Sequence, residues 1–428
     1  MERLLTGLLL AALLAAGCRA RPEQQTAAEP APRPTAAATA APQPPAQTPQ
    51  PTATPEPTPW YMADAEAPLP EEGGSILLGQ ARKLGGTIES QMPLVRVTAF
   101  LTCEFSEDER YPYEQSVTFD PAWNVTSYDL TSDETMEGVS LNGLVRFGEL
   151  TAGHHVLYLT AADARGGPAE TVAEIRFDVL SDQWERMHKS DVGRTYEALN
   201  RFFGGDTSRF LYRFQRVYKR YIIADPAWEE TYLTQLQMDE GEPWRIHVDA
   251  LPYYEQVKTY LHTAYFRVSG TNGDTGVQPL TRCIDSYSGS YCSRFTSGMK
   301  VVSNHAFGIA SDLNATLAPN ENTKANKTLI DDEVKNLLQY NGVREQDGQS
   351  YYDFTYTGSA ACTLSGVPET VVNYLLYELA FYRAGFQWGH YYNSTSDGMH
   401  FTLADNLEGK HDAAGGLRKV FAYYDSIA

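Results

Sequence analysis

Basic charge is scarce in this chain. Its 428 residues carry 34 Lys and Arg against 54 Asp and Glu, a formal net charge of −20 at pH 7. A nucleic-acid partner demands a basic footprint for the phosphate backbone, so no nucleic-acid partner is expected. Cysteine is sparse as well, five residues in all. Beyond Cys18 these are Cys103, Cys283, Cys292 and Cys362, a usage that fits an exported protein. Cys283 and Cys292 stand close enough in "CIDSYSGSYC" to clip a loop, while Cys103 lies far upstream; spacing alone leaves the pairing open. The apolar run Leu4 to Ala16 is also too short to cross a bilayer, which takes about 20 residues.

That short run does suit a signal peptide, with an arginine before it and small residues after it. Cys18 follows Ala15-Ala16-Gly17, a pattern that resembles the bacterial lipobox, in which the cysteine is diacylated and becomes the new N-terminus. Residues 1–17 are therefore expected to be a lipoprotein signal peptide, with Cys18 the lipidation site and the mature protein extracytoplasmic on the cell membrane. Residues 18–62 read as a disordered tether. Between Arg19 and Trp60 the chain is almost wholly Pro, Ala, Thr, Gln and Glu and holds 12 of the 24 prolines, too little apolar surface to offset the entropy of ordering. In polyproline II, at about 3.1 Å per residue, roughly 40 such residues reach on the order of 130 Å.

What remains exceeds one typical domain. Residues 85–180 read as short strands: Val95, Val97, Ala99 and Leu101 alternate, as do Ala173, Ile175, Phe177 and Val179. "HHVLYLTAADARGGPAETVAEIRFDVL" looks like the last hairpin of an immunoglobulin-like β-sandwich, with "RGGP" as its turn. His154 and His155 are adjacent, so on a strand they face opposite ways and make a poor metal pair. Residues 181–243 change period. Phe210, Leu211, Phe214, Val217, Tyr218 and Tyr221 recur at helical spacing among Arg209, Arg213, Arg216, Lys219 and Arg220, which predicts a helical connector with a basic, solvated face. Further helices are predicted over Asp331–Tyr340 and Pro368–Ala384, the latter with proline in its first turn and Gly385 just past its end.

Two segments carry chemistry. "SNHAFGIASDL" places His305 and Asp312 inside an apolar run, where packing alone would prefer Val or Ile. Downstream, "GFQWGHYYNSTSDGMHFTL" places Asp397 and His400 three residues apart in a second apolar and aromatic setting. Zinc favours three N and O ligands with a fourth position open, and His305, Asp312 and His400 would make that set, leaving Asp397 to handle protons. His and Asp are common residues, so this spacing by itself is a moderate signal.

The surrounding letters are rarer. "SNHAFGIASDLN" resembles the S-x-H-x-x-G-x-A-x-D pattern of the zinc D-alanyl-D-alanine carboxypeptidases, the VanY-like M15 peptidases of peptidoglycan. "GFQWGHYYNSTSDGMHF" resembles their second motif, G-F-x-W-G-G followed by D-x-x-H-F. "SYCSRF" resembles their arginine-bearing segment, and "WRIHVDALPYYEQV" their opening strand and helix. The resemblance runs over roughly Trp244 to Leu403 and implies an α+β zinc peptidase domain at residues 244–428. It implies zinc ligands His305, Asp312 and His400, Asp397 as general base on the attacking water, and Arg294 steadying charge on the scissile carbonyl. Ser303 is implied as a substrate contact, and the peptidoglycan stem peptide as partner. Where the family often reads W-G-G-x-W this chain has Gly389-His390-Tyr391, and for H-F-E it has His400-Phe401-Thr402.

Three other readings compete. "SGMK", Ser297 to Lys300, fits the S-x-x-K of penicillin-sensitive serine peptidases but lacks a K-T-G partner. A wall-binding lipoprotein without activity would bind metal and hydrolyse nothing. An endopeptidase or dipeptidase of the same family would use the same residues on another bond.

Overall fold

In the computed structural model the described residues are 59–63, 73–106, 108–131, 141, 146–317, 323–359, 362–364, 367–393, 396–405, 407 and 410–413. The expected signal peptide, Cys18 and nearly all of the expected tether lie outside them. No helix among the described residues is long and apolar enough to cross a membrane.

Two apolar cores divide the described chain. The first lies between two sheets built from β1 (Trp60–Met62), β2 (Gly74–Leu77), β3 (Thr87–Glu89), β4 (Leu94–Cys103), β5 (Tyr113–Thr118), β6 (Ser127–Asp129), β7 (Gly153–Asp163) and β8 (Glu170–Leu180). One sheet runs β2-β8-β7-β4-β5 and the other β1-β3-β6. Trp60–Met62, read from sequence as the end of the tether, is instead an edge strand, paired from Trp60↔Glu89 to Met62↔Thr87. β7 and β8 form the expected hairpin, registered from Gly153↔Val179 to Ala161↔Glu170. The alternation Val97, Ala99, Leu101 with Leu157, Leu159, Ala161 fills the core, each at most 1 % exposed. His154 and His155 do point apart. His154 pairs with Asp178 at 2.6 Å. His155 enters the core, where its Nδ1 lies 3.0 Å from the Gly153 carbonyl and its Nε2 lies 3.0 Å from the Tyr111 hydroxyl. Burial pushes the His155 ring down to about 4, so it stays neutral at pH 7, donating from Nδ1 and accepting at Nε2.

The expected helical connector is corrected. Arg213–Tyr218 and Tyr221–Ala224 are antiparallel strands joined by a tight turn with Lys219 at φ 46°. Phe210, Phe214 and Tyr218 are four apart, a spacing that satisfies both the helical and the strand period. β-branched and aromatic composition, which favours a pleated surface, decides for strand. The basic residues are largely neutralised: Arg213 by Asp225 at 2.7 Å, Arg216 by Glu185 at 3.1 Å, Arg209 by Asp249 at 2.5 Å. Met187, Phe210, Phe214 and Trp228 belong to the same core as the C-terminal residues, so the segment builds that core instead of linking two.

That second core sits among several small sheets. Ala264–Gly270 runs parallel to Gln349–Tyr356, which pairs antiparallel with Leu338–Gln346. A four-stranded antiparallel sheet runs Tyr287–Gly289, Ala310–Leu313, His400–Thr402, Gln387–Trp388. The helix expected over Asp331–Tyr340 begins earlier, at Lys324, and ends in a wide turn, Glu333–Leu337; Tyr340 is already on a strand. Glu369–Leu376 continues into a second wide turn, Tyr377–Phe381, and Gly385 follows at φ 91°. This helix packs beneath the four-stranded sheet, with Phe381 stacked on Phe401 at 4.3 Å and Tyr377 against Trp388 at 5.5 Å. Burying each such ring is worth roughly 1.5–3 kcal/mol before entropy, enough to hold one sheet face down and turn the other toward the site.

The pairing that spacing leaves open is not made between Cys283 and Cys292. Both thiols are free, as is Cys103. Cys283 lies fully buried in the core at the end of the turn Leu280–Cys283, whereas Cys292 sits on a loop bonded to the backbone of His305.

Candidate metal centre

Asp312 and His400 are direct cross-strand neighbours in the four-stranded sheet, with Ser311↔Phe401 and Ala310↔Thr402 completing the register. Side chains alternate along a strand, so Phe401 points into the aromatic core while His400 and Asp312 share the opposite face. His305 arrives from the turn Asn304–Phe307, whose first backbone donors are met by the Ser303 side chain; Ser303 Oγ accepts from His305 N at 3.4 Å. Gly308 ends that turn at φ 65°, and a Cβ there would lie 2.6 Å from His247 N, so only glycine returns the chain to the strand.

Three ligand atoms converge. His305 Nε2 lies 3.0 Å from His400 Nδ1 and 3.2 Å from Asp312 Oδ1, and His400 Nδ1 lies 3.0 Å from Asp312 Oδ1. Around a tetrahedral zinc with bonds near 2.0–2.1 Å, ligand atoms stand about 3.3 Å apart, so the donors present the right chemistry at nearly the right spacing. The residues fit the ion. His305 Nδ1 donates to the Ser290 carbonyl at 2.5 Å, which fixes the tautomer that leaves Nε2 facing the centre. Burial would raise the Asp312 carboxyl, but the charges and hydrogen bonds of His305 and His400 outweigh it and hold the group far below the usual carboxylate range. Burial would lower His400, and Asp312 with Asp397 reverses this, raising the ring.

Asp397 lies on the loop leading into His400, and its carboxylate accepts no hydrogen bond among the described residues. Burial lifts it above the usual carboxylate range, and Asp312 adds to the rise; His400, His305 and Arg294 pull the other way, so their charges act on it directly. Arg294 stands in a short bridge with Tyr221, and its carbonyl accepts from Ser303 N at 2.9 Å. Ser297–Lys300, the other motif, lies exposed at the tip of the hairpin whose base carries Arg294 and Ser303.

Residues outside both motifs hold this loop in place. Asn373, 1 % exposed, donates to the Gly398 carbonyl at 2.8 Å and to the Leu313 carbonyl at 3.1 Å, and accepts from Asn314 at 2.7 Å. Trp388 Nε1 adds a second donor to Gly398 at 2.8 Å. A Cβ on Gly389 would meet the Asp397 carbonyl at 2.7 Å and His400 Cβ at 3.1 Å, so this motif glycine makes room for the loop. His390, which replaces a motif glycine, does not stand open in a cleft. It is buried, stacked on Trp388 at 4.5 Å and paired with Asp331 at 2.9 Å. Thr402, at the position of the motif glutamate, is buried and accepts from Asn304 Nδ2 at 2.9 Å.

Residues 297–403 match the family model described as D-alanyl-D-alanine carboxypeptidase, of the M15 peptidases. The match takes in Ser303, His305, Asp312, Asp397 and His400 and stops short of Arg294. It supports a peptidase of the cell-wall M15 class in the C-terminal part of the chain. A search of curated proteins gives no match.

Proposed function

We propose that the protein is a zinc-dependent D-alanyl-D-alanine carboxypeptidase that removes the terminal D-Ala from peptidoglycan stem peptides. The observation that carries the reading is the His305–Asp312–His400 triangle lying, with Asp397, inside the segment that matches the M15 peptidases. When bound there, a zinc ion supplies Lewis acidity that makes water nucleophilic at neutral pH. Asp397, lifted by burial, takes a proton from the attacking water and passes it to the leaving amine nitrogen. Arg294 places a fixed positive charge where the carbonyl oxygen becomes negative. Ser303, whose hydroxyl caps the turn bearing His305, orders the ligand and stands at the same hairpin base as Arg294.

The upstream parts supply reach in this reading. The two sheets over β1–β8 are an immunoglobulin-like sandwich, a reading supported by the parallel pairing of β2 with β8 beside the antiparallel order β8-β7-β4-β5. Residues 1–59 supply the signal peptide, the lipid anchor at Cys18 and the tether on the outer face of the membrane. A Cys18→Ser chain is then expected in the soluble fraction with its peptidase activity intact; recovery of that variant still membrane-bound would end the anchor proposal.

Mass spectrometry of purified muropeptides tests the activity. Incubation with zinc-loaded protein is expected to convert stem pentapeptides to tetrapeptides with loss of one D-Ala, and a chelator is expected to stop it. Intact pentapeptides from protein that holds zinc would favour a wall-binding role, and cleavage only within the stem would make the enzyme an endopeptidase.

A further inference from the structure

The ring of His305 is held by a backbone carbonyl, and what holds that carbonyl lies outside the segment that matches the M15 peptidases. Ser290, whose carbonyl accepts from His305 Nδ1, donates its own hydroxyl to the Arg245 carbonyl at 3.0 Å. The next residue, Tyr291, half-buried, donates its hydroxyl to Glu229 Oε1 at 2.5 Å and lies 3.2 Å from Ser293 Oγ. Glu229 sits on the helix Pro226–Tyr232, capped by Asp225, and its other oxygen accepts from Arg245 Nη2 at 2.7 Å. The Arg245 guanidinium lies 4.9 Å from the centroid of the Tyr291 ring. One residue further on, Cys292 N donates to the His305 carbonyl at 3.2 Å, so the loop grips both the ring and the backbone of one ligand.

We propose that Tyr291 and Glu229 are positioning residues for the metal centre, acting on His305 through the Ser290 carbonyl. The inference rests on the reading of His305, Asp312 and His400 as metal ligands. A ligating histidine must present one nitrogen at a fixed angle, and its partner at the other nitrogen sets that angle. Here the partner is a loop carbonyl one residue past the strand Tyr287–Gly289, outside its ladder. Burial, with Glu229 adding to it, keeps the Tyr291 phenol well above its ordinary range, so it remains a donor at any working pH. The Glu229 helix belongs to the segment read from sequence as a connector, which gives that segment a direct part in building the site.

The test is zinc affinity of the full chain, measured by competition with a chromophoric chelator, alongside thermal unfolding. Tyr291→Phe and Glu229→Gln are expected to weaken zinc binding by about tenfold, the lower end for residues that orient a ligand from behind. Tyr356→Phe is the control. It removes a comparable buried tyrosine–carboxylate bond, to Glu333, in the same core but away from the centre, and is expected to lower the unfolding temperature while leaving zinc affinity unchanged. Wild-type affinity in both Tyr291→Phe and Glu229→Gln would overturn the inference, as would an equal loss in Tyr356→Phe. Absence of zinc binding in the wild type would instead remove the metal reading on which it rests, so the two failures are told apart.

Discussion

Asp397→Asn is expected to keep its zinc and lose most of its turnover. Asparagine preserves the shape of the side chain, and the backbone bonds at this position, Asp397 N to Gly389 O and His400 N to Asp397 O, both 3.1 Å, do not depend on the carboxylate. What the amide cannot do is accept a proton from water. The loss in kcat should therefore be about 10²–10⁴-fold, the usual worth of a positioned acid–base group, without a matching loss of metal. The pH profile gives the same test a sign. The base must be ionised to act, and burial raises its pKa, so wild-type activity should fall as pH drops, beginning above the range of an ordinary aspartate. Positive charge at the ligand set opposes that rise, and the position of the limb reports the balance. In Asp397→Asn the limb should vanish. Full activity in this variant, or an unchanged acid limb, would remove Asp397 from the mechanism.

His305→Ala should do the reverse, leaving the fold and abolishing the metal. Loss of a residue that merely orients a ligand costs about 10–100-fold in affinity, so loss of the ligand itself should exceed about 100-fold. The substitution also strips the Ser290 carbonyl of its donor, for about 1–3 kcal/mol of stability, since a buried acceptor is left without a partner. Metal analysis after dialysis and a thermal unfolding curve separate the two effects. Stoichiometric zinc in a folded His305→Ala protein would dismiss the proposed centre. On the proposed reading, zinc should raise the wild-type unfolding temperature with concentration, since the three ligands are gathered only in the folded chain.

The four residues of the candidate centre were legible in sequence because each lies within a short motif, and His, Asp and Gly at fixed offsets leave a local trace. Gly308 and Gly389 belong to the same trace, one for its left-handed backbone and one for the close approach of the 397–400 loop. Secondary structure was legible where only one period fitted, as in β4, β7 and β8. It was misread at Phe210–Tyr221, where a four-residue spacing serves helix and strand alike and the partner strand decides. The supporting residues left no such trace. Asn373 and Ser290 donate to backbone carbonyls, which every residue has, and Tyr291 meets Glu229 only across a 62-residue separation, so no local pairing of letters marks them.

The sequence by itself determined which side chains are the candidates for chemistry, and the composition of the segment ahead of the described residues. Tertiary structure alone decided that Cys283 and Cys292 stay free thiols, one inside the core and one on the loop that grips His305. It alone decided that the segment after Leu180 shares one core with the C-terminal residues, and that His390 turns inward to Asp331. The physical reason is the same in each case. Ligand chemistry is a property of individual side chains, whereas burial, pairing and the aim of a carbonyl depend on what the folded chain brings beside them.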